Sequence, residues 1–198
     1  MARSGRGVGM KRTVALAVAL CAMPPVARAH LTNAGFGPFY DGLVHLFVTP
    51  EVLLPAIAIS LMAGLRGPRY GRMVLFALPA SCLAGSLAGR WIGLPAAFPV
   101  TAAAVTIVTG ILVAADLRLP LAALSGAAIL LGLLNGGAHP AGLSAAGNAA
   151  ALFVVTAILA GRVVSIQTFV VRIAIRVAGG WIAASGLLLL GWALRPPI

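Results

Sequence analysis

Acidic side chains are nearly missing from this sequence: there are three in 198 residues. Charge as a whole is scarce, at 9% of residues, where soluble domains carry about a quarter. That excludes an ordinary water-soluble globule. Lysine is present once, at Lys11. The two cysteines, Cys21 and Cys82, are too few for a disulfide framework or a cysteine-based metal site. Cys82 sits inside an apolar segment and reads as a small buried hydrophobe. What fills the chain instead is apolar: 61% hydrophobic residues and a mean hydropathy of +1.08. The 24 glycines and 13 prolines agree with this, since both are commoner in membrane helices than in soluble ones. A formal charge of +11 invites a nucleic-acid reading. The basic residues, however, stand singly between apolar runs rather than on one solvated face, which excludes it.

The N-terminus reads as a targeting segment. Arg3, Arg6, Lys11 and Arg12 form a basic stretch, and the apolar run Val14–Met23 is too short to span a bilayer. Pro24 and Pro25 break the helix. Ala27-Arg28-Ala29 then supplies the small residues that signal peptidase requires. The expectation is a signal peptide over residues 1–29 and a single six-span membrane domain over residues 30–198, with His30 as the new N-terminus. Removing residues 1–29 leaves nine arginines against three acids and no lysine.

Six apolar runs are long enough to be spans: Pro50–Arg66, Arg72–Ile92, Ala96–Ala115, Leu119–Ala138, Leu143–Gly161 and Val177–Leu194. The fold class is therefore all-α, a polytopic membrane helix bundle. Thr49-Pro50-Glu51 reads as a helix start, with Thr at the N-cap and Pro at the first position. Tyr40–Val48 is expected as a separate short helix, and Arg162–Arg176 as a basic amphipathic helix on the membrane surface. A cleaved signal places His30 in the periplasm. Alternation then puts Arg66, Arg69, Arg72, Arg118, Arg162, Arg172 and Arg176 inside, against Arg90 and Arg195 outside, as the positive-inside rule asks of a bacterial inner-membrane protein. Gly85-Ser-Leu-Ala-Gly89 and Gly132-Leu-Leu-Asn-Gly136 place glycines four apart, a spacing that lets helices approach closely within one bundle.

Chemistry must come from very few groups. On this topology His30, His45, His139, Asp41 and Glu51 share the outer face, and only Asp116 lies inside, beside Arg118. Asp41 and His45 are four residues apart, so a helix presents both on one face. Imidazole with carboxylate suits a divalent transition ion: nickel, cobalt, copper or zinc. The free amine and imidazole of His30 add a chelating pair. Mid-span polar groups are modest: Ser60, Ser81, Thr106, Thr109, Asn148 and Thr156. Asn148 is the most polar and needs a hydrogen-bond partner, which makes it, with Asn135, a candidate pathway residue. With no mid-span carboxylate, coupling to a buried acid is not expected. Ala123-Leu-Ser125-Gly126 superficially resembles the nucleophile motif of rhomboid proteases, but the last span holds no histidine, so an intramembrane protease is rejected and no enzyme activity is expected.

Gly37-Pro38-Phe39-Tyr40-Asp41-Gly42-Leu43-Val44-His45-Leu46, with Pro50-Glu51-Val52-Leu53-Leu54-Pro55 and Met62-Ala63-Gly64-Leu65-Arg66-Gly67, resembles the HupE/UreJ family. Those are small bacterial membrane proteins with a signal peptide and about six spans. They are regarded as nickel or cobalt permeases serving hydrogenase and urease. Their first-span motif is H-P-x-x-G-x-D-H. Here Gly42 and His45 match, Pro38 and Phe39 replace the leading His and Pro, and Val44 replaces the Asp, with Asp41 nearby. A second family element, H-G-x-A-H, is matched by Asn135-Gly136-Gly137-Ala138-His139, with Asn for the first His. The resemblance implies a divergent permease-like protein with His45 and His139 as metal ligands, in contact with the bilayer, its ion, and either further copies of itself or metalloenzyme-maturation partners. The alternative is a non-transporting scaffold or assembly factor.

Overall fold

The computed structural model describes residues 36–92, 98–138 and 141–195. The expected signal peptide, its cleavage site, His30 and His139 lie outside the described residues. Within them the chain forms seven helices and no strand: α1 Pro38–Val48, α2 Pro50–Arg66, α3 Pro68–Ile92, α4 Phe98–Ala114, α5 Leu121–Gly137, α6 Leu143–Ser165 and α7 Phe169–Ala193. The first three each begin on proline, whose fixed φ and missing N–H cost nothing at a helix start. α1 and α2 are the expected short helix and first span, and they meet at 76°. Pro50 takes the first helical position, but the Thr49 side chain makes no cap hydrogen bond. Its hydroxyl is engaged by His45 instead.

α2 is the hub of the bundle and touches all six other helices. It carries Ala56, Ala58, Ile59, Met62 and Ala63 into a core completed by Leu46, Val74, Leu78, Val113, Leu124 and Leu152. Phe76, Trp181, Leu188 and Trp192 point outward. In water such a surface would aggregate; against lipid tails it has no cost.

Packing tightens where side chains vanish. A Cβ on Gly136 would fall on the Cys82 carbonyl oxygen, and one on Gly89 would lie 2.6 Å from the Gly137 carbonyl oxygen. The two glycine pairs therefore face each other along the α3–α5 seam, inside one bundle. Gly147 and Gly42 do the same between α6 and α1, meeting Phe39 and Ser144 backbone.

Three helices, α3, α6 and α7, are long and apolar enough to cross a membrane alone, and the bent pair α1–α2 makes a fourth if taken as one span. α4 and α5 are 17 residues each, about 25 Å long against a hydrocarbon core of about 30 Å. The separate amphipathic helix over Arg162–Arg176 does not form. α6 runs on through Ser165, the chain breaks at Ile166–Thr168, and the Thr168 hydroxyl caps α7 by accepting from the Val171 N–H. Arg172 and Arg176 thus ride on the first turns of the last helix.

Candidate functional site

The polar groups of the bundle collect at its two ends and in a column between them. At one end α2 and α4 finish and α7 begins. Asp116 sits in the turn after α4 at φ +50, a left-handed conformation that aspartate tolerates better than most residues. Its carboxylate does not pair with Arg118, the partner expected from the sequence. Instead Arg66 of α2 bonds Oδ1 at 2.9 Å, and Arg172 of α7 pairs with Oδ2. Arg66 also donates to the Asp116 and Leu117 carbonyls, and Arg176 Nε donates to the Ala114 carbonyl at 3.0 Å. The carbonyls at the C-terminal end of α4 carry partial negative charge, so arginines are favoured there twice over. Burial pushes the Asp116 carboxyl up, but the hydrogen bonds and charges of Arg172 and Arg66 outweigh it and hold the carboxyl below its ordinary range.

The opposite end is where α1 lies across the start of α6. Asp41 and His45 are one turn apart on α1, both partly buried, and His45 Nε2 shares a hydrogen bond with Thr49 Oγ1 at 3.1 Å. Glu51, in the first turn of α2, borders a cavity of about 20 Å³ with Thr101 of α4 and Asn135 of α5. That is room for about one water. Among the described residues no three of His, Cys, Asp and Glu gather closely enough to hold a metal ion. The structure brings Asp41 with His45, and Glu51 with Asn135, but does not join the two pairs into one cluster.

Beneath this end the column begins. Asn135 and Asn148 are 2% and 0% exposed. Asn148 Nδ2 donates to Asn135 Oδ1 at 3.3 Å, and both amides approach Cys82 Sγ, at 3.8 and 3.9 Å. Asn148 therefore has the partner that a buried carboxamide requires, and it is the other candidate pathway residue. Its Oδ1 is buried without a hydrogen bond. Two turns further along α6, Thr156 Oγ1 lies 3.1 Å from the Ser60 hydroxyl. Leu152, fully buried, separates the two polar levels on the same face. Thr156 in turn lines an apolar groove of about 210 Å³ that reaches Arg72. The sequence reads Cys82 as a small buried hydrophobe, and it is buried; the two amides beside its sulfur leave no local signal. Asn135 and Asn148 lie 53 and 66 residues from it along the chain, too far for spacing to signal the contact.

A family profile described as HupE / UreJ protein matches residues 18–189. No curated protein and no solved structure matches the chain.

Proposed function

The chain belongs to the HupE/UreJ family, and on that premise we propose that it is a permease-like protein of the bacterial inner membrane that takes a divalent transition ion of the nickel or cobalt type from the periplasm. The family is one of transporter-like membrane proteins associated with nickel and cobalt transport or with urease and hydrogenase maturation. The observation that supports the reading best is the alignment of scarce polar groups. Asp41, His45 and Glu51 stand at one end of the bundle, above a buried polar column of Asn135, Asn148, Thr156 and Ser60. A bundle held only by apolar packing has no need of such a column, because buried amides and hydroxyls are unfavourable in lipid unless paired.

In this reading the ion is captured from water by His45 with Asp41, and His139, which lies outside the described residues, is the further ligand proposed from the sequence. Glu51 adds negative charge at the same mouth, and the N-terminal amine and imidazole of His30, outside the described residues, are the further candidate ligands. Imidazole nitrogen and carboxylate oxygen replace hydration waters, and a borderline ion accepts that mixed set. All three acids lie at the bundle ends. Passage driven by the ion gradient fits this better than coupling to a buried carboxylate. The mature protein would begin at His30 in the periplasm and need no resident cofactor.

The second reading is a non-transporting scaffold that serves metalloenzyme maturation. It is favoured by the lack of a three-member ligand cluster among the described residues. Proteoliposomes holding the purified protein separate the two. Saturable nickel or cobalt uptake, reduced in His45→Ala and His139→Ala, is the expected result; uptake equal to empty liposomes overturns the permease.

A further inference from the structure

The groove between α3 and α6 differs from the seams that hold the bundle. Along the α3–α5 seam a Cβ on Gly85, Gly89 or Gly136 would strike the backbone of the facing helix. In the groove, small residues keep space instead of contact. A Cβ on Gly161 would meet nothing within 4 Å, and one on Gly71 would touch Ala160 Cβ at an ordinary 3.6 Å. With Ala157 and Ala160 these glycines leave an apolar trough of about 210 Å³, walled on the α3 side by Leu75 and Arg72. Left empty, such a space forfeits the contacts that its lining could make.

One turn beyond Arg72 on α3 and one turn before Ala157 on α6, Phe76 and Phe153 meet with ring centroids 6.0 Å apart. That pair ends the trough toward the middle of the bundle. The other end opens where α3 begins and α6 finishes. Gly161, Ile158 and Phe76 are exposed, so the trough lies on the lipid-facing surface. Its volume is below the roughly 300–1,000 Å³ of pockets that enclose a compact organic ligand. The shape suits a stretch of flexible chain lying along two helices.

Charge at the open end decides what that chain is attached to. Arg72 lines the trough, Arg69 stands one turn before it on α3, and Arg162 follows Gly161 on α6. All three are exposed. The ion pairs among the described residues take Arg66 and Arg172, both on Asp116, while Asp41 and Glu51 lie at the other end of the bundle. Three guanidinium groups therefore gather at this end without a carboxylate from the described residues to neutralise them. The N-terminus of α3 lies at the same mouth, and its partial positive charge has the same sign. An apolar trough that ends in unneutralised arginines is complementary to a molecule with an acyl tail and an anionic head.

We propose that the α3–α6 groove is a binding site for one anionic phospholipid, which lays an acyl chain against Gly71, Ala157 and Gly161 and sets its phosphate on Arg72. Arg69 and Arg162 add positive charge at headgroup depth, where long basic side chains extend from helix ends. The bound chain fills the space that the small residues leave and ties α3 to α6. The site is independent of the permease reading and holds equally for a scaffold.

The test is native mass spectrometry of the full chain purified in detergent, titrated with phosphatidylglycerol or with phosphatidylcholine of the same acyl chains. Expected is one phosphatidylglycerol bound at least about fivefold more tightly than phosphatidylcholine, the scale of one basic side chain at an anionic headgroup. Arg72→Gln should remove that preference. Arg118→Gln, exposed but outside the groove, should keep it. Gly161→Leu should fill the trough and abolish the tight phosphatidylglycerol adduct without lowering the thermal midpoint of the lipid-free protein, and Ala157→Leu is the second filling variant. Glycerol phosphate, a head without a tail, should not displace the lipid. Equal binding of the two phospholipids overturns the proposal, as does a preference lost as fully in Arg118→Gln as in Arg72→Gln. Wild-type affinity in both filling variants puts the lipid elsewhere and overturns it too. Displacement by glycerol phosphate makes the site one for free phosphate and removes the lipid from it.

Discussion

Where α4 stops, Asp116 satisfies two arginines from two other helices, whereas at the opposite end Asp41, His45 and Glu51 are distributed over α1 and α2, with no three ligand groups joined among the described residues. The difference is one of saturation. The Asp116 carboxylate is spent: both oxygens are engaged, and Arg66 also holds the Asp116 and Leu117 carbonyls. Such a cluster fastens α2, α4 and α7 together and has little left to offer a ligand. At the other end the His45–Thr49 hydrogen bond stays within one stretch of chain, where the Asp116 pairs join three helices. Charges that hold a fold are closed on each other, and charges that serve a ligand are left within reach of it.

The largest effect should follow from opening the closed end. Asp116→Ala leaves Arg66, whose side chain is 12% exposed and whose Nε already lacks a partner, facing Arg172 with no counter-charge. Removing one member of a partly buried pair costs about 3 kcal/mol, so the thermal midpoint in detergent should fall by many degrees. Asp116→Asn should fall less, because the carbonyl oxygen still accepts from arginine. The carboxyl is held below its ordinary range. Its contribution is therefore present above about pH 4 and lost as pH falls through the folded-state value. A stability profile with no acid-side loss attributable to Asp116, in a comparison with Asp116→Asn, would show that the clamp is not the fastening it looks to be.

Much of this was legible in the sequence, and the failures share a cause. Hydropathy alone placed the helices, because a helix in lipid must be apolar along its length. The four-residue spacing of Gly85 with Gly89 and Gly132 with Gly136 announced the α3–α5 seam, since only small residues permit that approach. Asp41 and His45 were legible as neighbours for the same reason: one helix turn separates them. Asp116 was assigned to Arg118, its neighbour in sequence. The left-handed turn at Asp116, which turns the carboxylate toward α2 and α7, leaves no pattern in composition. The break at Ile166–Thr168 was read as part of a surface helix because Arg162, Arg172 and Arg176 are basic at helical spacing. Cys82, Asn135 and Asn148 meet only through tertiary packing, so no local signal could have joined them. Local geometry is written in the sequence at short range; convergence from distant helices is not.

Next in size is the seam beneath the open end. Gly136→Ala would put a methyl onto the Cys82 carbonyl oxygen, so α3 and α5 must part. Overpacking of that kind costs about 1–3 kcal/mol. Because Asn135 is the preceding residue, the same change should disturb the Asn135–Asn148 amide pair as well as lower the thermal midpoint. Gly126→Ala, where a Cβ meets nothing within 4 Å, should change neither. Equal midpoints for the two variants would refute the close approach of the seam.

Arg172→Ala tests the closed end from its solvent side. This side chain is 44% exposed, and Arg66 remains on Asp116 when it goes. Exposed ion pairs contribute about 0–1 kcal/mol and weaken with salt, so a small loss that shrinks further at high ionic strength is expected. A loss as large as that of Asp116→Ala would mean that Arg172, rather than Arg66, is the principal partner.

The smallest stability effect is expected where the ligand effect is greatest. His45 is partly buried on a short helix and shares a hydrogen bond with Thr49, a residue of the bend between α1 and α2. Truncation to alanine leaves Leu46, the buried anchor of α1, and the Gly42–Ser144 approach in place. Stability should therefore change by no more than about 0.5 kcal/mol, the usual range for a change away from core, cap or charge cluster. Removing a ligand from a two- or three-member capture site, by contrast, should weaken nickel or cobalt binding by tenfold or more, on the order of the losses seen when metal sites lose supporting groups. His45→Ala and Asp116→Ala should thus fall in opposite corners of a plot of metal affinity against stability, one losing affinity alone and the other stability first. If His45→Ala instead loses stability and keeps its affinity, the imidazole is a hinge support for the 76° bend between α1 and α2, and the open end of the bundle is as structural as the closed one.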